Sequence, residues 1–292
     1  MGQPLDNPAS VPLRAAAADP NAVRSEPVVE FARKKNPTHA VDAYDELQPL
    51  GSPVVFERES RPLRLFELPQ ISLPRDNDQP LVTAEGRYAK DAIEAYNGLR
   101  TRLLRSQATQ GFRSIAITSV GKSDGKTLTS FNLACCCAQV ENFSVLLIDA
   151  DLRGQSLTKL IGRLPVAGLS DVMSGSALCE DAIVRTDVGN LYVMGAGSKD
   201  VDPSGLFMTN KWSEVIRWGT SHFKMVLVDG LPTGVFADFE LIAPECDGIL
   251  LVVRARSTAR ESLKTAIEQL DPRKLVGIVW NGSDLEKNPF LY

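Results

Sequence analysis

No run of this 292-residue chain approaches the roughly 18 consecutive apolar residues of a membrane-spanning helix. The first thirty residues also lack the basic-then-apolar order of a signal peptide, so a soluble cytosolic protein is the expectation. Basic residues are not in excess, and a formal net charge of -4 leaves no electrostatic case for nucleic acid as a partner. Metal-ligand spacing is missing from the five cysteines, three of which (Cys135, Cys136, Cys137) are consecutive, and the set reads as small packing residues in a reducing compartment. Glycine is scarce where proline is dense: residues 1–80 hold two of the 21 glycines but twelve of the 18 prolines. That stretch sustains neither a period of 2 nor one of 3.6, so it is expected as a disordered proline-rich tail ahead of one folded domain over residues 81–292. Within the tail, residues 61–74 (RPLRLFELPQISLP) carry enough Leu, Ile and Phe to be either a docking strand or a plain linker.

What is present centres on residues 114–139, SIAITSVGKSDGKTLTSFNLACCCAQ. Ile115, Ala116 and Ile117 read as a short buried strand, a small polar loop follows, and Leu128, Phe131, Cys135 and Ala138 then recur at helix spacing. Strand, loop with Gly-Lys-Thr, then helix is the context of a phosphate-binding P-loop, in which backbone N–H groups and the helix N-terminus face the anion. In that reading Lys126 reaches the terminal phosphates and the Thr127 hydroxyl ligates Mg²⁺. Gly121-Lys122-Ser123 competes with Gly125-Lys126-Thr127, but only the second runs straight into the helix. The general pattern needs glycine at position 120, where this chain has Val120, so the tripeptide by itself is also compatible with a helix-capping turn.

Four further apolar runs, at residues 145–148, 226–228, 249–253 and 275–279, are each short and continuous enough for a strand covered on both faces. Helical segments separate most of them, which predicts an α/β fold with a doubly wound, mostly parallel sheet. Ligands of such sheets bind beyond the carboxyl ends of the strands. The first run ends in Asp149 and Asp151, two residues apart and so on one side of an extended chain, and the second ends in Asp229. One such carboxylate alone reads as a helix cap. Two strands ending in aspartate downstream of Gly-Lys-Thr point to a Mg-nucleotide site.

With these motifs together, the chain resembles the bacterial tyrosine kinases of polysaccharide synthesis, a branch of the deviant P-loop ATPases. Leu146, Leu147 and Ile148 followed by Asp149, Asp151 and Arg153 match that family's second Walker motif, and Val226, Leu227, Val228, Asp229 and Pro232 match its Walker B form. The likeness runs from about Asp91 to Asn281 and takes in GLSDVMSG, NLYVMGAG and DPSGLF. The resemblance implies ATP and Mg²⁺ as cofactors, with Ser123, Asp124, Gly125, Lys126, Thr127 and Leu128 as the phosphate cradle. It further implies Thr127, Asp149 and Asp229 around the metal, Asp149 as the base for a tyrosine hydroxyl supported by Asp151, and Lys126 neutralising the transferring phosphoryl group. Asn281 stands where the wider superfamily places an adenine-reading asparagine, although asparagine before Gly282 is equally a turn former. A membrane-bound polysaccharide co-polymerase that activates the kinase is the implied partner, with a cytoplasmic position at the inner membrane through it.

Three departures bear on this. The family's proline and glycine before the acidic residue of the loop are here Lys122 and Ser123, which removes a permissive residue. In the predicted helix over residues 83–104, Glu94 and Arg100 match the family's E-x-x-R-x-x-R self-association helix, but Asn97 replaces its first arginine, leaving Arg100 as a subunit contact or as simple packing. The family's terminal tyrosine cluster is reduced to Tyr292, the implied phosphoacceptor. A kinase, a nucleotide-switched positioning ATPase and a degenerate ATP-binding regulator all remain open at this point.

Overall fold

The computed structural model describes residues 63–75, 81–83, 87–162, 164, 166–234 and 237–282, with side chains from residue 93 onward in the first long helix. In chain order the elements are β1 (Gln70–Ile71), α1 (Arg87–Gln110), β2 (Ser114–Ser119), α2 (Lys126–Ala138), β3 (Val145–Asp149), α3 (Ser156–Ile161), α4 (Leu169–Met173), β4 (Ile183–Thr186), β5 (Leu191–Met194), α5 (Pro203–Phe207), α6 (Lys211–His222), β6 (Met225–Asp229), α7 (Asp238–Ile242), β7 (Gly248–Arg254), α8 (Arg260–Gln269) and β8 (Leu275–Asn281). Among the described residues the strands form one sheet in the order β1-β4-β5-β3-β6-β2-β7-β8. Every neighbouring pair is parallel except β4 with β5. This is the expected doubly wound α/β sheet.

Every residue of β2, β3 and β6 is buried, because helices cover both faces of the sheet centre. The strand alternation divides them into two cores. Ala116, Leu146, Ile148, Val226 and Val228 pack with Trp212, Val215 and Phe239 on one face. Ile115, Ile117, Leu147 and Leu227 pack with Phe131, Leu133 and the cysteines of α2 on the other. Helix α2 is buried almost all round, since α1 closes its outer side. There Arg100 Nη1 donates to the Cys136 carbonyl at 3.1 Å, so the arginine considered for a subunit contact serves the last turn of a helix in its own chain. Cys135, Cys136 and Cys137 point in different directions yet are all buried, because each side chain is small enough for a crowded helix. Burial pushes their thiols up, to about 11 for Cys136 and about 12 for Cys137.

Residues 63–75, within the stretch expected as tail, pack on this unit. Strand β1 extends the sheet edge beside β4, with Gln70 opposite Arg185 and Ile71 opposite Thr186. Leu73 is buried, its N–H donates to Asp187 Oδ1 at 2.9 Å, and Leu63, Leu65 and Leu68 pack against the core. A two-residue strand is too short to show a period, which is why composition alone left docking strand and linker undecided. Residues 1–62 and 76–80 lie outside the described residues, as does Tyr292. Among the described residues no helix is long and apolar enough to cross a membrane.

Candidate active site

The sheet order places β3, β6 and β2 side by side, and their carboxyl ends converge. Asp149, the last residue of β3, is in register with Asp229, the last of β6, which itself faces Ile117 of β2. The loop leaving β2 therefore arches over two carboxylates before α2 begins at Lys126. Gly125 takes the left-handed region at φ 93°, which its missing side chain permits. Ser123 sits in the same region at φ 68° with a side chain, at the position where the resembling family carries glycine.

Asp229 is fully buried and fully engaged. Its Oδ1 accepts from Lys126 Nζ at 2.7 Å and from Ser130 Oγ at 2.9 Å, while Oδ2 accepts from the Thr127 hydroxyl at 2.8 Å. Lys126 and Ser130, four apart on α2, lie on one helix face, so the spacing that identified Lys126 also carried the signal for Ser130. The loop is closed internally by Asp124, whose Oδ2 accepts from the Gly121 N–H at 2.8 Å. Asn281, at the end of β8, reaches across to donate from Nδ2 to the Asp124 carbonyl at 2.8 Å.

Asp149 and Asp151, two apart at the end of β3, have different surroundings. Asp149 is buried, and its Oδ2 accepts from the Thr158 N–H at 2.8 Å and hydroxyl at 2.7 Å, while Oδ1 accepts from the Asp151 N–H at 3.2 Å. The Thr158 hydroxyl in turn accepts from the Ala196 N–H at 2.9 Å, tying β3, α3 and the segment after β5 together. Burial first, then the neighbouring Asp229 carboxylate, pushes Asp149 up to about 7, against the pull of the Thr158 donors and Lys126. Asp151 is held by the Gly154 N–H at 2.7 Å and stays part-exposed.

A cleft of about 560 Å³ opens above these groups. Of the residues expected there, Ser123, Gly125, Lys126, Thr127, Leu128 and Asp151 line it. Asp124, Asp149, Asp229 and Asn281 stand behind its wall, in the contacts described above. Arg153 also lines it, with Nε donating to buried Asp238 at 2.6 Å and Nη2 to Ser204 Oγ at 2.9 Å. Asp238 and Ser204 carried no sequence signal of their own, since they come from α7 and α5 and meet Arg153 only through the fold.

The residues fit a magnesium-bound phosphate chain. Backbone cradle, lysine and a hydroxyl beside a carboxylate supply inward donors and hard oxygen ligands, and Mg²⁺ is held in such sites by few protein groups with phosphate oxygens.

No protein-family model matches the chain. Among known proteins it is 33% identical over 206 residues to tyrosine-protein kinase CpsD of Streptococcus agalactiae, covering 69% of this chain and 88% of that one. It is 29% identical over 205 residues to tyrosine-protein kinase Wzc of Salmonella typhi, covering 70% of this chain but 28% of that longer one. The kinase domain of the Escherichia coli tyrosine kinase ETK superposes with a TM-score of 0.61 at 27% identity, over 65% of this chain and 75% of that structure.

Proposed function

Because this chain belongs to the family of bacterial tyrosine-protein kinases, we propose that it is an ATP- and Mg²⁺-dependent tyrosine autokinase acting in capsule or exopolysaccharide synthesis. The observation that carries this reading is the convergence of Lys126, Thr127 and Ser130 on Asp229 at the floor of a cleft walled by a glycine-bearing loop. Thr127 and Asp229 would hold Mg²⁺, and Ser123, Gly125, Lys126, Thr127 and Leu128 would hold the phosphate chain. Bound ATP-Mg²⁺ supplies the phosphoryl group and neutralises part of its charge. The Lys126 ammonium, now on Asp229, is one of three cationic side chains that line the cleft, with Lys122 and Arg153, and is the one assigned to the phosphoryl oxygens. The resemblance implied Asp149 as the base; because Asp149 stands behind the wall and holds the Asp151 backbone and the start of α3, we assign the proton of an incoming tyrosine hydroxyl to Asp151, which lines the cleft. Tyr292 is the acceptor proposed, in keeping with the resemblance; Tyr96 and Tyr192 are packed in α1 and β5.

A partner that activates the kinase belongs to the same reading. We assign that role to a membrane-bound co-polymerase, with this chain on the cytoplasmic side, self-associating for transfer between copies. Incubation with radiolabelled ATP and Mg²⁺, reading protein-bound label and released phosphate separately, tests the proposal. Label on tyrosine, lost in Asp151→Asn, is the expected result. Phosphate release without label selects a positioning ATPase, and neither product in the presence of the co-polymerase selects a regulator that only binds nucleotide.

A further inference from the structure

We propose that Asn281 positions the phosphate cradle rather than reading the base, an assignment that rests on nucleotide binding in the cleft described above. Asn281 is the last residue of β8, and its backbone is fixed there by the Ala255 N–H, which donates to its carbonyl at 2.8 Å. From this anchored end its Nδ2 donates to the Asp124 carbonyl at 2.8 Å. A peptide unit is planar, with C=O and the following N–H pointing in opposite directions. Pinning the Asp124 carbonyl toward β8 therefore turns the Gly125 N–H away from β8. The fit is close: a Cβ on Gly125 would stand 1.8 Å from Asn281 Nδ2, so the amide occupies the space that any larger residue would need.

The same peptide is held from its other side. Asp124 Oδ2 accepts from the Gly121 N–H at 2.8 Å, and Oδ1 receives a longer contact of 3.5 Å from the Thr258 hydroxyl. Thr258 itself accepts from the Arg254 N–H at 3.2 Å, at the end of β7. Asp124 thus closes the loop from inside while the ends of β7 and β8 brace it from outside. One of the two amide hydrogens of Asn281 is thereby given to the loop, so the Asp124 carbonyl, within the chain itself, sets the orientation of the side chain.

The test uses the full chain with Asn281→Ala and with Asn281→Asp, the second nearly isosteric but unable to donate to a carbonyl. Calorimetric titration with Mg-ATP and, separately, with inorganic tripolyphosphate reads the cradle with and without a base attached. Asn281→Ala is expected to lose about tenfold in affinity for both ligands, as loss of one well-made hydrogen bond would give, and Asn281→Asp at least as much. A loss confined to ATP, with tripolyphosphate unchanged, overturns the proposal in favour of base contact. Wild-type affinity in Asn281→Asp overturns it as well. Amide hydrogen exchange over residues 121–126 of the ligand-free protein is a second readout: it should quicken in both variants while β2 and β6 keep their protection, and unchanged exchange refutes the positioning role. If the wild type binds neither ligand, it is the nucleotide reading that fails, and the exchange measurement still decides what Asn281 does to the loop.

Discussion

Lys126 Nζ lies 2.7 Å from Asp229 Oδ1, and the two side chains are 8% and 0% exposed. The pair links the first turn of α2 to the end of β6 across the floor of the cleft. An ion pair this deep stabilises little relative to apolar packing, but removing one partner strands the other in low dielectric.

Lys126→Ala should therefore act twice. Without ligand it should destabilise the protein by about 3 kcal/mol, lowering Tm by roughly 6–12 °C, since Asp229 keeps only its hydroxyl donors. With saturating Mg-ATP it should show no ligand-induced rise in Tm, whereas the wild type should rise by mass action. Thermal melts of both proteins with and without nucleotide read the two effects separately. An equal nucleotide shift in the variant would remove Lys126 from the phosphate site.

Ser123 adopts φ 68° with a side chain in place. Ser123→Gly should relieve that strain and stabilise the protein by about 0.5–1 kcal/mol net of the added freedom of the unfolded chain, whereas Ser123→Val should destabilise it. Urea midpoints at constant slope provide the check. A glycine variant no more stable than wild type would mean that serine is accommodated without strain.

Asp149 sets a pH dependence whose sign is fixed by its environment. Its carboxyl is raised from 3.8 to about 7, so the folded state takes up a proton between those values that the unfolded chain does not. Its contribution to stability is therefore fully present below about pH 4 and is lost as pH rises to about 7, a swing of roughly 2–4 kcal/mol. Asp149→Asn lacks this titration, so its Tm relative to wild type should climb through that window and level off above it. A difference that stays flat from pH 4 to pH 8 would contradict the raised value.

A chain starting at Leu81 should still fold, but less stably than one that includes residues 63–75. Loss of β1 and of the buried Leu73 should cost about 2–3 kcal/mol. Equal urea midpoints for the two chains would show that β1 and Leu73 contribute nothing measurable.

Much of the fold was legible because the central strands are buried on both faces and so appear as unbroken apolar runs, as in Leu146, Leu147 and Ile148. Strands β4 and β5 were harder to see. The first has four residues interrupted by Arg185, and the second, the short run Leu191–Met194, was noticed only as part of the segment NLYVMGAG. In the candidate site, Lys126 and Thr127 stood out in sequence as a Gly-Lys-Thr running into a helix, and Asp229 as the carboxylate that ends a buried apolar run. The roles of Asp149 and Asp151 could not be separated that way. Alternation along an extended chain puts them on one side, but the turn into α3 gives Thr158 to the first and the cleft to the second. Asp238 beside Arg153 is a tertiary pairing across 85 positions, beyond the reach of any local pattern.

The buried cysteines of α2 have a practical meaning for anyone handling the protein. A thiol reacts with alkylating reagents as its thiolate, and burial disfavours that form in Cys135, Cys136 and Cys137 while packing keeps the reagent out. Cys246 is equally enclosed, and burial raises the half-buried Cys179 thiol to about 12. Modification of Cys135, Cys136 and Cys137 by iodoacetamide should then wait on opening of the helix against the sheet. The rate at which mass is gained becomes a clock for that opening, one that nucleotide should slow.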